Sequence, residues 1–243
     1  MCTVTFLRVA NKYLITSNRD ESRLRKTALP PAIHRIAQGN ILFPKDANAG
    51  GTWIAVHENG NAVVLLNGAF IRHSHNPPYR KSRGIILLEI IAERSPLNAF
   101  NQVPFQNIEP FTMVLFCFDE LYECRWDGRR RHIRLLDKTL PHMWSSATLY
   151  EPAIVAKREK WFANWLQENS TPSLNDIMHF HAAGGDGDLF NDLRMNREGH
   201  MLTVSITGIE ISGTGARMVY KDLTTETEYQ QILSLTGALT TNE

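Results

Sequence analysis

Cys2-Thr3-Val4-Thr5-Phe6-Leu7-Arg8-Val9, and after a short turn Tyr13-Leu14-Ile15-Thr16-Ser17-Asn18-Arg19-Asp20-Glu21, are the residues on which the fold turns. The first run alternates with a period of two, the mark of a strand with one face buried. Ala10-Asn11-Lys12 reverses the chain, and Tyr13 to Ser17 reads as the returning strand of a hairpin. A hairpin brings the end of its second strand back beside the start of its first. The polar string Asn18 to Glu21 is therefore expected near Cys2.

Outward from this hairpin, residues 22–51 form a polar, proline-containing stretch that ends in Ala49-Gly50-Gly51. Thr52 to His57 and Ala62 to Leu66 are β-rich runs on either side of Glu58-Asn59-Gly60-Asn61, and Asn-Gly is a strong hairpin signal. Ser82 is placed to cap a helix through Arg94, with Ile85, Leu87, Leu88 and Ile91 spread around it. Phe111 to Phe118 and Leu121 to Trp126 read as a further hairpin, with strands near 131–136 and 142–147. Helices are predicted over about 151–167, with Ile154, Trp161, Phe162, Trp165 and Leu166 on one stripe, and over about 174–183. Leu202 to Ile211 and Ala216 to Asp222 form the last predicted hairpin. Hairpins around a helical block indicate an α+β fold with antiparallel sheets and helices layered on them. No Pro/Gly/Ser linker divides residues 1–243, so a single domain is expected.

Composition narrows the function classes. With 26 basic and 25 acidic residues, the net charge of +1 supplies no field for nucleic acid or an anionic membrane. The one dense basic run, Arg129-Arg130-Arg131, follows Asp127-Gly128 and reads as a solvated turn. No stretch approaches the roughly 20 apolar residues of a membrane span. Arg8 interrupts what a secretory segment would keep continuous. Cys2, Cys117 and Cys124 are too few for a disulfide framework, which suits a reducing cytoplasm where a thiol stays free.

The position of Cys2 bears on chemistry. Removal of Met1 would leave it with both a thiol and a free α-amine, which titrates near ~7.7–8.0 and so serves as a base at neutral pH. The alternative is a cysteine that simply fills a strand. Arg19 near that thiol would stabilise a thiolate, and Asp20 would hold the amine by hydrogen bonding. Consecutive strand residues point to opposite faces, so both reach one site only if the strand ends or bulges there. The alternative for this string is a solvated turn with a surface ion pair.

Met1-Cys2, Asn18-Arg19-Asp20-Glu21, Ala49-Gly50-Gly51-Thr52-Trp53, then Gly60 and Leu66-Asn67 follow one another in order, and together they resemble the NRDE family, also called the transport and Golgi organisation family. Met195-Asn196-Arg197 and Thr203-Val204-Ser205 resemble a weaker C-terminal pattern of the same family. The resemblance implies a four-layer αββα sandwich of N-terminal-nucleophile (Ntn) hydrolase type, related to the choloylglycine-hydrolase and penicillin-acylase group. It implies Cys2 as nucleophile with its own amine as base, Arg19 tuning the thiol and Asp20 orienting the amine. Asn67 would be an oxyanion donor and Arg197 a second cation, the alternative for Arg197 being a surface loop arginine. Asn18 and Trp53 would contact substrate, Trp53 as a pocket wall or core residue. Gly50 and Gly51 would allow close backbone approach or a positive φ.

Two functions follow from that resemblance. One is hydrolysis of a non-peptide amide in a small molecule. The other is a non-catalytic carrier or trafficking protein holding haem or lipid in a degenerate pocket. Partners are thus a small amide or apolar ligand, an oligomer is left open, and no cofactor or metal is expected. His179 and His181 are two apart on a helix and fall on different faces, Gly184-Gly185-Asp186-Gly187-Asp188 lacks a calcium-loop pattern, and His73 and His75 have no partner nearby in sequence.

Overall fold

A computed structural model describes residues 3–236. The chain begins with β1 (Thr3–Val9), β2 (Lys12–Ser22), β3 (Leu29–Ile36), β4 (Gly39–Lys45), β5 (Ile54–His57) and β6 (Ala62–Asn67). Next come α1 (Arg83–Ile91), α2 (Pro96–Gln102), β7 (Phe111–Cys117), β8 (Glu120–Trp126), β9 (Arg131–Leu136) and β10 (His142–Ser145). Then follow α3 (Pro152–Glu168), α4 (Leu174–Ala183), β11 (Asn196–Arg197), β12 (Met201–Ile211), β13 (Gly215–Asp222) and β14 (Thr227–Ser234).

Among the described residues these strands make two antiparallel sheets. One runs β10-β1-β2-β12-β13-β14 with β11 on β12, and the other runs β3 to β9 in chain order. The opening hairpin pairs as its alternation requires, Thr3 opposite Asn18 and Val9 opposite Lys12. Val4, Phe6, Tyr13 and Ile15 point between the sheets and join a core with Val56, Val64 and Phe116 of the other sheet. Phe6 and Tyr13 meet Phe116 there at 5.9 and 4.4 Å between ring centres. Truncating a ring so enclosed, as in Phe6→Ala, costs on the order of 3–5 kcal/mol.

The opposite faces carry the helices. Leu7, Leu14 and Ile206 pack on Leu174, Ile177 and Met178 of α4 and on Phe162 of α3. α1 and α2 cover the other sheet through Ile86, Leu87, Ile90 and Phe100. Both faces of β6 are thus covered, so Ala62-Val63-Val64-Leu65-Leu66 is continuously apolar rather than alternating. The layers are helix, sheet, sheet, helix, and the expected α+β class holds. Ser82 caps α1 through a bond from the Ile85 N–H, and a capping box of Ser173 and Asp176 starts α4.

The structure corrects three readings. Residues 22–51, read as a polar, proline-containing stretch with no strand assigned, hold β3 and β4. Pro30 and Pro31 are tolerated because β3 is an edge strand, with a register irregularity between Leu29 and Ala32. The hairpin of β12 and β13 is not the last, since β14 pairs along β13 with its side chains mostly exposed. The helix capped by Ser82 ends at Ile91, and α2 starts after Ser95, with Pro96 in its first turn.

Candidate active site

Strand β2 sorts its side chains by parity. Tyr13 and Ile15 enter the inter-sheet core, while Leu14 packs with α4, so Arg19 points between the sheets and Asn18 and Asp20 toward the helices. The register irregularity lies in β12, between Thr203 and Ser205, opposite Asp20 and Arg19. β2 itself runs unbroken to Ser22. Arg19 and Asp20 therefore do not turn to one side through an end or bulge of their own strand; they flank the sheet.

Arg19 is 3% exposed, and its guanidinium donates to Asp46 Oδ2 at 2.7 Å while lying 4.8 Å from the centre of the Trp53 ring. Arg25 donates to the same oxygen at 3.0 Å. The other Asp46 oxygen accepts the N–H groups of Asn48 and Ala49 at 2.9 and 2.8 Å. Burial alone would push the Asp46 carboxyl up; the bonds from Arg25 and Ala49 and the charges of Arg25 and Arg19 outweigh it and hold the pKa at about 2. The glycine motif makes this loop buildable. Gly50 has φ +71°, and a Cβ on Gly51 would overlap the backbone of Gly84 at the start of α1. The Thr52 hydroxyl closes the loop on the Pro44 carbonyl at 2.6 Å.

Asp20 is also 3% exposed and accepts from Thr203 Oγ1 at 2.6 Å and from the Tyr150 hydroxyl at 3.0 Å. Two guanidiniums lie against the Tyr150 ring, Arg158 at 3.6 Å and Arg197 at 5.4 Å from its centre. Arg158 is fully buried in α3. It donates to Thr3 Oγ1 at 2.7 Å and to the carbonyls of Asn191 and Asp192 at 2.9 and 2.6 Å, and it ion-pairs with no carboxylate among the described residues. The sequence reading missed Asp46, Tyr150 and Arg158. A signal for Arg158 was there, because it stands four residues after Ile154 and four before Phe162, inside the apolar stripe of its helix.

Asn18 is not among the residues lining the clefts described below. Its Nδ2 donates to the carbonyls of His181 and Leu193 at 3.1 and 2.6 Å, and its Oδ1 contacts His181 Nδ1 at 2.6 Å. The Asn18 oxygen can only accept, so His181 carries its proton on Nδ1 and accepts from the Thr5 hydroxyl at Nε2, 2.8 Å away. Full burial, and then the charge of Arg158, push this imidazole down to about 3. Asn18 and His181 fasten β1 and β2 to α4.

The remaining residues fall around three clefts. Asn67 lines a small one of about 120 Å³ with Arg19, Thr52 and Trp53, and its carbonyl is held by Ser146 Oγ at 2.9 Å. Trp53 is buried, with its Nε1 unpartnered among the described residues. Arg197 ties loops together, donating to the carbonyls of Phe190 and Leu149 at 3.1 and 3.0 Å, and reaches Asp20 only through the Tyr150 ring. A second cleft of about 490 Å³ opens beside Arg19, and a third of about 470 Å³ beside Tyr150. Cys2 lies outside the described residues. Its chain neighbour Thr3 pairs with Asn18, the chain neighbour of Arg19. His73 and His75, which had no partner nearby in sequence, both contact Glu109 Oε1, at 3.1 and 3.3 Å. Among the described residues no three His, Cys, Asp or Glu side chains cluster in a way that would hold a metal ion, and no helix is long and apolar enough to cross a membrane.

Residues 1–198 match the family model described as Transport and Golgi organisation 2. The chain belongs to the Transport and Golgi organisation 2 family. No curated protein sequence matches this member of the family significantly. Its fold is similar to that of a Caenorhabditis elegans N-acylethanolamine-hydrolyzing acid amidase ortholog, with TM-score 0.60 and 10% identity over 86% of this chain and 92% of that one. It is likewise similar to a mutant conjugated bile acid hydrolase from Clostridium perfringens, with TM-score 0.59 and 10% identity over 99% and 98% of the two chains. A second variant of that hydrolase matches at TM-score 0.59 and 10% identity over 95% and 92%. The architecture of this Transport and Golgi organisation 2 member is thus of Ntn-hydrolase type.

Proposed function

We propose that the chain, once Met1 is removed, is a hydrolase with an N-terminal cysteine that cleaves a non-peptide amide of a small molecule. The observation that carries this reading is the buried Arg19, held between the sheets next to the strand pair Thr3–Asn18. A fixed cation beside the chain start favours a thiolate. In the reaction, Cys2 Sγ bonds to the amide carbonyl carbon and the thiol proton passes to the α-amine. The C–N bond then breaks, and that proton leaves on the departing nitrogen. Water cleaves the resulting thioester and restores the thiol. In this reading Arg19 meets the thiol from between the sheets, while Asp20, fixed by Thr203 and Tyr150 on the opposite face, orients the α-amine, and Asn67 donates to the oxyanion, a role worth ~2.7–4 kcal/mol in an enzyme. Arg197, 5.4 Å from the centre of the Tyr150 ring, supports this arrangement through that ring.

The third cleft favours a second reading, carriage of an apolar ligand, since Phe70 and Ile71 on its rim are 53% and 77% exposed. Intact mass establishes whether Met1 is absent, and an acyl-amide panel then separates the readings. Turnover by the processed chain, abolished in Cys2→Ser with folding kept, is the expected result. A retained Met1, or no turnover across the panel alongside binding of an apolar ligand that Cys2→Ser leaves unchanged, overturns the hydrolase reading.

A further inference from the structure

The opening hairpin has a buried cation on each of its faces. Arg19 lies between the sheets, next to the pair Thr3–Asn18. Arg158 comes from α3 and donates to Thr3 Oγ1 at 2.7 Å, on the face where Thr5 meets His181 of α4. The other donors of Arg158 end on the carbonyls of Asn191 and Asp192. The Asp192 carboxylate turns away, accepting the Asp186 N–H at 2.9 Å. Asp20 meets the cation only through Tyr150, whose ring stacks on Arg158 and whose hydroxyl donates to Asp20. Arg197 lies against the same ring, and His181 adds no charge because burial and then Arg158 itself push its imidazole down to about 3. Taking a guanidinium out of water is costly, and among the described residues no carboxylate bonded to Arg158 offsets that cost. A full positive charge is thus bonded to the residue that follows Cys2.

We propose that Arg158 is a positioning residue for the N-terminal base of the processed chain: it fixes the backbone at Thr3, and its charge holds the Cys2 α-amine in the neutral, proton-accepting form. Six covalent bonds join Thr3 Oγ1 to the Cys2 nitrogen, so the amine is within roughly 10 Å of Arg158 Nη1. At that range, between water and a protein surface, a unit charge lowers the pKa of an amine by roughly 0.3 to 1.2 units. Asp20 acts in the opposite sense, favouring the ammonium that forms when the amine takes the thiol proton. Arg158 therefore keeps the base free before the transfer, Asp20 stabilises it afterwards, and Tyr150 links the two. Arg19, on the other face, acts on the thiol. The inference rests on the hydrolase reading for the use made of the amine, while the shift in its titration requires no turnover.

Competitive acetylation reads the amine directly. The full chain carrying Cys2→Ser, with loss of Met1 checked by intact mass, is labelled with trace acetic anhydride at stepped pH, and mass spectrometry of the N-terminal peptide gives the titration midpoint. Arg158→Met in this background is expected to raise the midpoint by about half a unit. Arg158→Lys keeps the charge and is expected to leave it in place. Each variant is checked for folding by circular dichroism, and Arg158→Gln, which keeps an amide donor, replaces Arg158→Met if that chain does not fold. Thr3→Val removes only the acceptor of the 2.7 Å bond. In the chain with Cys2 intact it is expected to lower kcat about tenfold with KM unchanged, because the start of the chain is less well held. A midpoint that stays or falls without the charge, an equal rise in Arg158→Lys, or an unchanged kcat in Thr3→Val overturns the inference, and turnover by wild type would leave the hydrolase reading standing. A raised midpoint in a chain whose wild type hydrolyses nothing sinks the hydrolase reading alone. A chain that retains Met1 overturns both.

Discussion

The Tyr150 hydroxyl donates to Asp20 Oδ2 at 3.0 Å while the ring of the same tyrosine lies 3.6 Å beneath the Arg158 guanidinium. Arg158 in turn holds Thr3 Oγ1, so one tyrosine links a carboxylate on β2, a cation on α3 and the first described residue of β1. Tyr150→Phe keeps the stack and removes only the hydroxyl. Losing one buried bond to a charged acceptor is expected to lower stability by about 1–3 kcal/mol. A urea titration measures that loss, and turnover is expected to fall with it because Asp20 is less firmly held. An unchanged rate would separate Tyr150 from the site.

Arg158→Met tests the buried cation itself. The substitution keeps much of the packing volume but leaves the carbonyls of Asn191 and Asp192 without their donors. These carbonyls are half-buried, so leaving them unpaired costs at most about 1–3 kcal/mol each, whereas deleting an unpaired buried charge gains part of that back. The expected outcome is a lower melting temperature, with the region around residues 189–193 exchanging amide hydrogens fastest. A variant more stable than wild type would mean that desolvation of the guanidinium outweighs its three bonds.

Asp46 accepts from two guanidiniums at once, so Asp46→Asn strands Arg19 in the inter-sheet layer. Breaking a buried pair from one side is worth on the order of 3–5 kcal/mol. The sign of the pH effect follows from its depressed pKa of about 2 against an unfolded value near 3.8. The contribution is fully present above pH 3.8 and is lost as pH falls toward 2. Wild type is expected to lose stability through that window and Asp46→Asn to lose none of it there, as read from urea midpoints at stepped pH.

His181 titrates in a different window. Its folded pKa of about 3 lies below the ordinary value of 6.5, so the unfolded chain binds the extra proton between those limits. Stability is full above pH 6.5 and falls as pH drops through the range, with a slope up to about 1.4 kcal/mol per pH unit. His181→Gln keeps one donor and one acceptor against Asn18 and Thr5 and removes the titration. The slope between pH 6 and about 4 is expected to flatten in that variant, and an identical slope would place the acid sensitivity elsewhere.

How much of this was readable in advance depended on range along the chain. The hairpin of β1 and β2 was legible because alternation and a short turn are local, and Gly50-Gly51 because close backbone approach admits few other residues. β3 was not, since Pro30 and Pro31 sit at an edge where the missing donors do no harm. Nor was β14, whose exposed faces leave little apolar pattern. Arg19 and Asp20 were singled out by their neighbours in the motif, but their division between two faces of the sheet was not legible there. Asp46 and Tyr150 are 27 and 130 residues away from the side chains they bind, a distance that no periodicity reports.

The reactivity of the three thiols is the most direct test of the proposed nucleophile. Cys117 and Cys124 are free and buried, 1% and 0% exposed. Burial pushes the Cys117 thiol up to about 11, helped by Glu120, and pushes Cys124 further up, helped by Cys117 and Glu123. At pH 7 both are almost wholly protonated, and the thiolate is the form that alkylates. Any fast reaction of the folded chain with iodoacetamide must therefore come from Cys2. With Arg19 stabilising its thiolate, Cys2 is expected to label much faster than the other two, at a rate that falls in Arg19→Met while the other two stay slow. Site-resolved mass spectrometry of the folded chain over time reads all three at once, with a denatured sample showing that each can react. Cys2 labelling no faster than Cys117 and Cys124 in a chain lacking Met1 would remove the chemical basis of the hydrolase.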